Sequence, residues 1–268
     1  MTPTAEEIAR DGTILRVQVG SGVYGTGIPD QDDRDEMGIC LEPESHVIGL
    51  RNFEQYVHRT QPEGVRSGPG DLDLCIYSAR KWMSLALKGN PTILLPLFVP
   101  DDQVMSVTQA GRDLRTMTET IVSRRAGVAF AGYMRSQMMQ LTGEKSKKHT
   151  NRPELVEKYG FDTKFAYHMV RLGAQGVELL ETGRITLPIP EPLRTELVDL
   201  RLGRYTKDDA LDAARGYEER LLWLIDRSPL PPHPDEDAAN EWLIYAYHDK
   251  WFSDRITRVQ RGLRASKR

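Results

Sequence analysis

The chain has 268 residues, of which 39% are hydrophobic and 28% charged, and its 36 Lys+Arg against 39 Asp+Glu give a formal net charge of −3. That composition excludes a disordered chain, a collagen-like repeat and a disulfide scaffold, and the length suits one large domain or two smaller ones. The charge balance excludes a bulk polycation that coats nucleic acid, so no DNA footprint is expected, although a local basic patch remains compatible with it.

Residues 1–14 are polar and acidic and lack the apolar core of a signal peptide. Alternation of apolar and polar residues over 14–20 (ILRVQVG) predicts a strand, and 37–41 and 72–77 read as two more. Ser78 is placed to cap a helix over 79–88, with Trp82, Leu85 and Ala86 on its apolar face and Gly89 as its stop. Asn90-Pro91 then reads as a turn, because proline forces the residue before it out of the helical region. The two cysteines, Cys40 and Cys75, lie in strand-like runs with no CxxC, and read as small buried hydrophobes in a reducing compartment. The longest apolar run, at 93–100, falls far short of the ~20 residues that span a bilayer. A cytoplasmic protein with no membrane partner is therefore expected. Past about residue 110 the pattern turns helical, with predicted helices over 128–141, 163–180, 193–201, 208–225 and 238–252. Asp162, Thr206 and Asp235 are their predicted caps, and proline-rich connections sit at 188–192 and 228–234. An N-terminal α/β unit followed by a helical unit is the expected organisation.

The stretch 17–43 (VQVGSGVYGTGIPDQDDRDEMGICLEP) carries the chemistry. A strand ends at Gly20-Ser21 and a glycine-rich turn follows, with Gly22, Gly25 and Gly27. Glycines let backbone N–H groups approach a phosphate, and Ser21 adds a hydroxyl donor. No Gly-Lys-Ser/Thr follows, so this is not a Walker A loop. Nor is it a dinucleotide-fold turn, because acids (Asp30, Asp32, Asp33, Asp35 and Glu36) stand where a helix should begin. Asp33 and Asp35 are two apart, and on a strand they point to one face. Two carboxylates on one face can share a pair of Mg²⁺ ions ~3.5–4 Å apart. A neighbouring strand offers a third acid in Asp71-Leu72-Asp73-Leu74, where Asp73 shares its face with Cys75 and Tyr77 and Asp71 shares it too. Any one of these aspartates alone reads as a solvated turn residue; the combination points to function.

The same segment resembles the DNA polymerase β-like nucleotidyltransferase superfamily, and within it the bacterial and phage branch of RNA-repair-pathway polymerase-β-like proteins. Gly20, Ser21, Tyr24, Gly25, Thr26, Pro29 and Asp30 match the first half of that branch's pattern, and Asp33, Asp35 and Gly38 the second. Asp32 stands where Ser is usual, Arg34 sits between the two acids, Met37 replaces the usual Arg, and the spacer has one extra residue. The likeness extends through Asp73, IYSARKW, LKGNPTILLPLF and the Lys-x-x-x-His-x-x-Arg-Leu core of the 163–180 helix, covering about residues 13–205. It implies an α+β fold. Residues 1–110 would form a nucleotidyltransferase catalytic domain, a mixed sheet flanked by helices, and residues 111–268 a helical domain contributing to the nucleotide and acceptor site. It also implies Asp33, Asp35 and Asp73 as catalytic metal ligands for Mg²⁺, with Mn²⁺ as the alternative. Gly20, Ser21, Tyr24, Lys164, His168 and Arg171 are the implied ligands of an NTP.

On the 163–180 helix, Lys164, His168, Arg171 and Gln175 form one polar stripe beside an apolar face of Phe165, Met169, Leu172, Gly176 and Leu180. The bland readings are a solvated face and, for His168, a histidine satisfied in the core. Under the resemblance, Lys164 and His168 would be ligands of the triphosphate, with Lys164 neutralising the leaving pyrophosphate and Arg171 chelating phosphate oxygens. Two basic runs could serve a nucleic-acid acceptor: Lys145, Lys147, Lys148 and Arg152, and a tail with Arg255, Arg258, Arg261, Arg264, Lys267 and Arg268. Neither has the interleaved aromatics of a base-stacking surface. The activity implied is transfer of an NMP to a hydroxyl, with pyrophosphate released and an RNA (tRNA-like) end as acceptor. A small-molecule or protein hydroxyl, and a non-catalytic member that binds nucleotide or RNA, are the alternatives.

Overall fold

The structure, a computed structural model, describes residues 2–144 and 152–265, with side chains described as far as Thr257. Lys145, Lys147 and Lys148, and the basic tail from Arg258 onward, lie outside the described side chains.

Helix α1 (Ala5–Gly12) leads into strand β1 (Thr13–Val19), the one-turn helix α2 (Gly20–Tyr24) and strand β2 (Arg34–Cys40). A short helix α3 (Glu44–Val47) precedes strands β3 (Gln55–Arg59) and β4 (Leu72–Ser78) and helix α4 (Ala79–Ala86). Strand β5 (Val104–Val107) closes the sheet, in the order β3-β4-β2-β1-β5. The sheet is mixed, since β2 and β4 run parallel and the other neighbours antiparallel. Helices α5 (Gln109–Thr116), α6 (Thr118–Ile121), α7 (Arg124–Thr142), α8 (Pro153–Tyr159), α9 (Thr163–Thr182), α10 (Leu193–Arg201), α11 (Lys207–Ile225) and α12 (Glu236–Ala265) complete the chain. The α+β expectation holds, and no helix among the described residues is long and apolar enough to cross a membrane.

The predicted caps are present. Ser78 Oγ accepts from the Lys81 amide, Asp162 from Lys164 and Phe165, and Asp235 from Ala238, while Thr206 forms a reciprocal box with Asp209. Asn90 is structural: its Oδ1 accepts from the amides of Thr92 and Ile93, and its Nδ2 donates to the Tyr133 hydroxyl. Several elements differ from the sequence reading, which offered none of the helices α3, α5, α6 and α8. Helix α1, capped by Thr4 and Glu7, occupies the polar start, and β3 and β5 are short edge strands with mostly exposed side chains.

One face of the sheet packs on the helices. Val17, Val19, Met37 and Ile39 meet Trp82 and Met83 of α4, and the same core continues through Phe130, Met134, Met169 and Leu221. A single core thus crosses the change from strands to helices near residue 110. Helices α7, α9 and α11 approach closely, because a Cβ at Gly176 would lie 2.8 Å from the Phe130 side chain and 2.9 Å from Leu221. The opposite sheet face holds a smaller cluster of Ile8, Ala9, Cys40, Phe53, Leu74 and Ile76. Cys40 is buried as expected, and burial pushes its thiol above the usual range; Cys75 is only half-buried, and both are free thiols.

Candidate active site

The ladder between β2 and β4 sets Asp35 directly beside Asp73. In a parallel pair without a bulge, register neighbours share a face. Asp33 lies one residue before β2, outside the ladder, yet its carboxylate joins the other two: one ligand oxygen from each acid lies within 4.8 Å of the rest. The β1–β2 register brings Val19 against Asp35, so the turn after β1 arrives at the same place. There Gly20 adopts φ +70°, and a Cβ would overlap the Asp35 carboxylate. Only glycine satisfies both the backbone angle and the space. Ser21 follows, half-buried, with no side-chain hydrogen bond among the described residues.

Three convergent carboxylates repel one another. Burial first, then Asp33 and Asp73, push the Asp35 carboxyl up to about 6, and Lys164 opposes the shift. Such a set suits a hard divalent cation, which prefers carboxylate oxygens and phosphate. Asp73 is held from its other side: Gln61 Nε2 donates to its Oδ1 and Ser67 Oγ to its Oδ2, each at 2.9 Å, and Arg59 stands 3.5 Å away. Asp71 is separate from the cluster. Its carboxylate accepts from Thr60 Oγ1 and from the Gly68 amide, so it shapes the 60–71 loop.

Helix α9 supplies the facing side. Lys164, in its first turn, is half-buried and makes no ion pair among the described residues. Burial lowers its pKa, with Arg152 and Arg201 adding to that and Asp32 and Asp33 opposing it. One turn on, His168 packs against Tyr167 with ring centroids 5.0 Å apart. Burial, then the charges of Arg171, Arg152, Lys164 and Arg201, hold it well below the usual histidine range, so it is neutral at pH 7.

The comparisons with known proteins bear on this arrangement. The model of the RNA repair pathway DNA polymerase beta family matches residues 4–244. The chain belongs to that family. Membership makes this polymerase β family chain a nucleotidyltransferase. A nucleotidyltransferase-like protein from Exiguobacterium sibiricum 255-15 is similar at 12% identity, over 83% of this chain and 71% of that one, with a TM-score of 0.30. No curated protein matches the chain.

Two residues expected on the nucleotide lie deeper in this family member. Tyr24 is 5% exposed and Arg171 6%, and the Arg171 guanidinium stacks 4.3 Å above the Tyr24 ring. Arg171 also donates to Gln175 Oε1 at 2.7 Å. Both sit under the glycine-rich turn, and burial pushes the Tyr24 hydroxyl up to about 12. Met37, where the resemblance has Arg, is in the core at 4% exposed.

Other neighbours of the acids carry no short motif. Asp32 takes both guanidinium nitrogens of Arg201, from the end of α10, while Gln61 and Ser67 come from the loop before β4. A cleft of about 1020 Å³ lies elsewhere, between α4 and α12, lined by Arg80, Lys88, Arg125 and Trp251. The acids mark their site by converging charge.

Proposed function

We propose that the chain moves an NMP from an NTP to a hydroxyl acceptor, an RNA end, with release of pyrophosphate. The observation that carries this reading is the meeting of Asp33, Asp35 and Asp73 opposite a half-buried lysine that makes no ion pair among the described residues. Asp33, Asp35 and Asp73 would hold Mg²⁺ or Mn²⁺, which when bound supplies charge neutralisation at the phosphates and a lowered pKa for the attacking hydroxyl. Gly20 and Ser21 lie where backbone and hydroxyl donors meet phosphate oxygens. Lys164 offsets the charge that builds on the leaving pyrophosphate, and neutral His168 offers a hydrogen bond without adding charge. Tyr24 and Arg171 support the turn from below. The acceptor oxygen forms a bond to the α-phosphorus, the bond from that phosphorus to the pyrophosphate oxygen breaks, and the hydroxyl proton passes to water. The choice of RNA rests on the family's RNA-repair description, and the net charge of −3 fits contact with a strand end better than a long footprint.

The test is transfer of label from each of the four α-³²P NTPs to total RNA containing tRNA, with Mg²⁺ or Mn²⁺. Label on RNA with the wild type, absent with Asp33→Asn, is the expected result. Pyrophosphate release that requires cell extract, with no label on RNA, would replace RNA by a small-molecule or protein hydroxyl. Nucleotide binding without any turnover would leave a binding protein.

A further inference from the structure

Asp35 and Asp73 are fixed by strand pairing, but Asp33 is not, because it lies before the first residue of β2. Something else must hold it within reach of the other two. On one side the Arg34 amide donates to the Asp71 carbonyl at 2.9 Å. On the other side stands Asp32, and here the structure commits a buried ion pair. Arg201 Nη1 donates to Asp32 Oδ2 at 2.8 Å and Nη2 to Oδ1 at 2.5 Å, with side-chain exposures of 4% and 10%. Nη1 also donates to the Thr26 carbonyl at 2.6 Å, and the Ile28 amide donates to Asp32 Oδ2 at 2.7 Å. Thr26 Oγ1 lies 2.7 Å from the Tyr167 hydroxyl, and the Arg201 guanidinium sits 5.4 Å from the Tyr167 ring centre. The segment from Thr26 to Asp32 is thereby tied at both ends to one guanidinium.

The backbone of Arg201 is itself anchored to α9. Its carbonyl accepts from Thr163 Oγ1 at 3.1 Å, and Thr163 is the neighbour of Lys164. A single residue therefore spans from the helix that carries Lys164, through its carbonyl, to the loop that carries Asp33, through its guanidinium. It also neutralises Asp32, which would otherwise be a fourth carboxylate next to Asp33 and a competing partner for Lys164.

We infer that the Asp32–Arg201 clamp is the positioning device that sets Asp33 against Asp35 and Asp73 and fixes their spacing to Lys164. This rests on the metal reading of the three acids given above. Arg201 touches neither nucleotide nor metal in this reading and acts only through Asp32 and Thr26.

The experiment is Mn²⁺ binding to the full chain, followed by electron paramagnetic resonance and needing no turnover, alongside circular dichroism and thermal unfolding. The double variant Asp32→Asn with Arg201→Met removes both charges together and leaves no lone buried ion. It should fold, and bind Mn²⁺ at least tenfold more weakly than the wild type. Arg201→Lys keeps the charge but loses the planar two-nitrogen fork that takes both Asp32 oxygens, and should lose at least threefold; it decides the matter if the double variant does not fold. Tyr247→Phe, which breaks a remote contact, should leave Mn²⁺ affinity unchanged. Wild-type affinity in a folded clamp variant, or an equal loss in Tyr247→Phe, would overturn the inference. A wild type that binds no Mn²⁺ would instead contradict the metal reading itself and take the clamp with it.

Discussion

Asp35 lies beside Asp73 in the ladder and against Gly20 of the turn. Its carboxyl is raised to about 6 from 3.8, the reverse of the usual carboxylate in a folded protein. The sign of the consequence follows. Without a cation the ionised form is disfavoured in the fold relative to the unfolded chain, so the penalty is complete above about pH 6 and vanishes below the unfolded value. In EDTA, Asp35→Asn should therefore unfold at a higher temperature than wild type at pH 7.5, and the gap should close as pH falls towards 4. A gap that is constant across that range would contradict the environment described. The same variant should lose transfer by more than ~100-fold, in keeping with loss of a group that acts on transition-state charge. Gly20→Ala tests the other contact. A left-handed non-glycine residue costs about 1–2 kcal/mol, and the new methyl would displace the Asp35 carboxylate. Near-complete loss of transfer, with only a modest drop in Tm, is the expected result, read by initial rates and calorimetry.

At the scale of elements, helix α9 separates two kinds of cation. Lys164 is half-buried and makes no ion pair among the described residues, whereas Arg171 is stacked and hydrogen-bonded in the interior. Lys164→Met should raise KM for the NTP at least tenfold with Tm unchanged or higher, because a lysine whose charge is disfavoured by burial is removed. Arg171→Ala should lower Tm by several degrees, since its packing beneath the turn is lost. Initial-rate kinetics and thermal unfolding on the two variants check the contrast; equal KM effects with no loss of Tm in Arg171→Ala would restore it to the nucleotide. Much of this was legible in sequence. Strands β1, β2 and β4 alternate or run apolar, α9 and α11 carry caps, and α9, α10 and α11 carry apolar stripes, so their types follow from local pattern. Strand β3 lies at one sheet edge with mostly exposed side chains, Val57 at 51% among them, and β5 at the other edge has four residues, too short for a period to show. Helix α1 was signalled by Thr4 and Glu7 three apart, ahead of Ile8 and Ala9, a capping box with little apolar text behind it. The acids were legible through their spacing and the family pattern. Arg201, Gln61 and Ser67 were not, because each reaches the site from a distant segment and its partner is chosen by tertiary packing.

For the molecule as a whole, the strand-rich and helical parts share one core and are stitched at several points. The Ile189 amide donates to the Tyr24 carbonyl, joining the α9–α10 connection to the turn after β1. Far from the acids, α12 returns to the sheet, where Tyr247 donates to buried Glu42 at 2.6 Å, Trp251 Nε1 donates to the Glu42 carbonyl, and Arg255 pairs with Glu44. Glu42 is 1% exposed, and burial raises its carboxyl although the Tyr247 hydrogen bond opposes the rise. Tyr247→Phe removes that donor and should cost about 1–3 kcal/mol in urea unfolding at pH 7, with transfer at permissive temperature unaffected. Loss of activity at unchanged stability would mean that α12 reaches the active site.

The most direct test of a three-carboxylate metal site is NTP-dependent transfer measured against Mg²⁺ concentration, in wild type and in Asp33→Asn, Asp35→Asn and Asp73→Asn, with folding checked by circular dichroism. The expected result is no transfer in EDTA, saturable recovery with Mg²⁺ in the wild type, and none in any of the three variants while each remains folded. Transfer that persists in EDTA, or survives in a folded Asn variant, would contradict it.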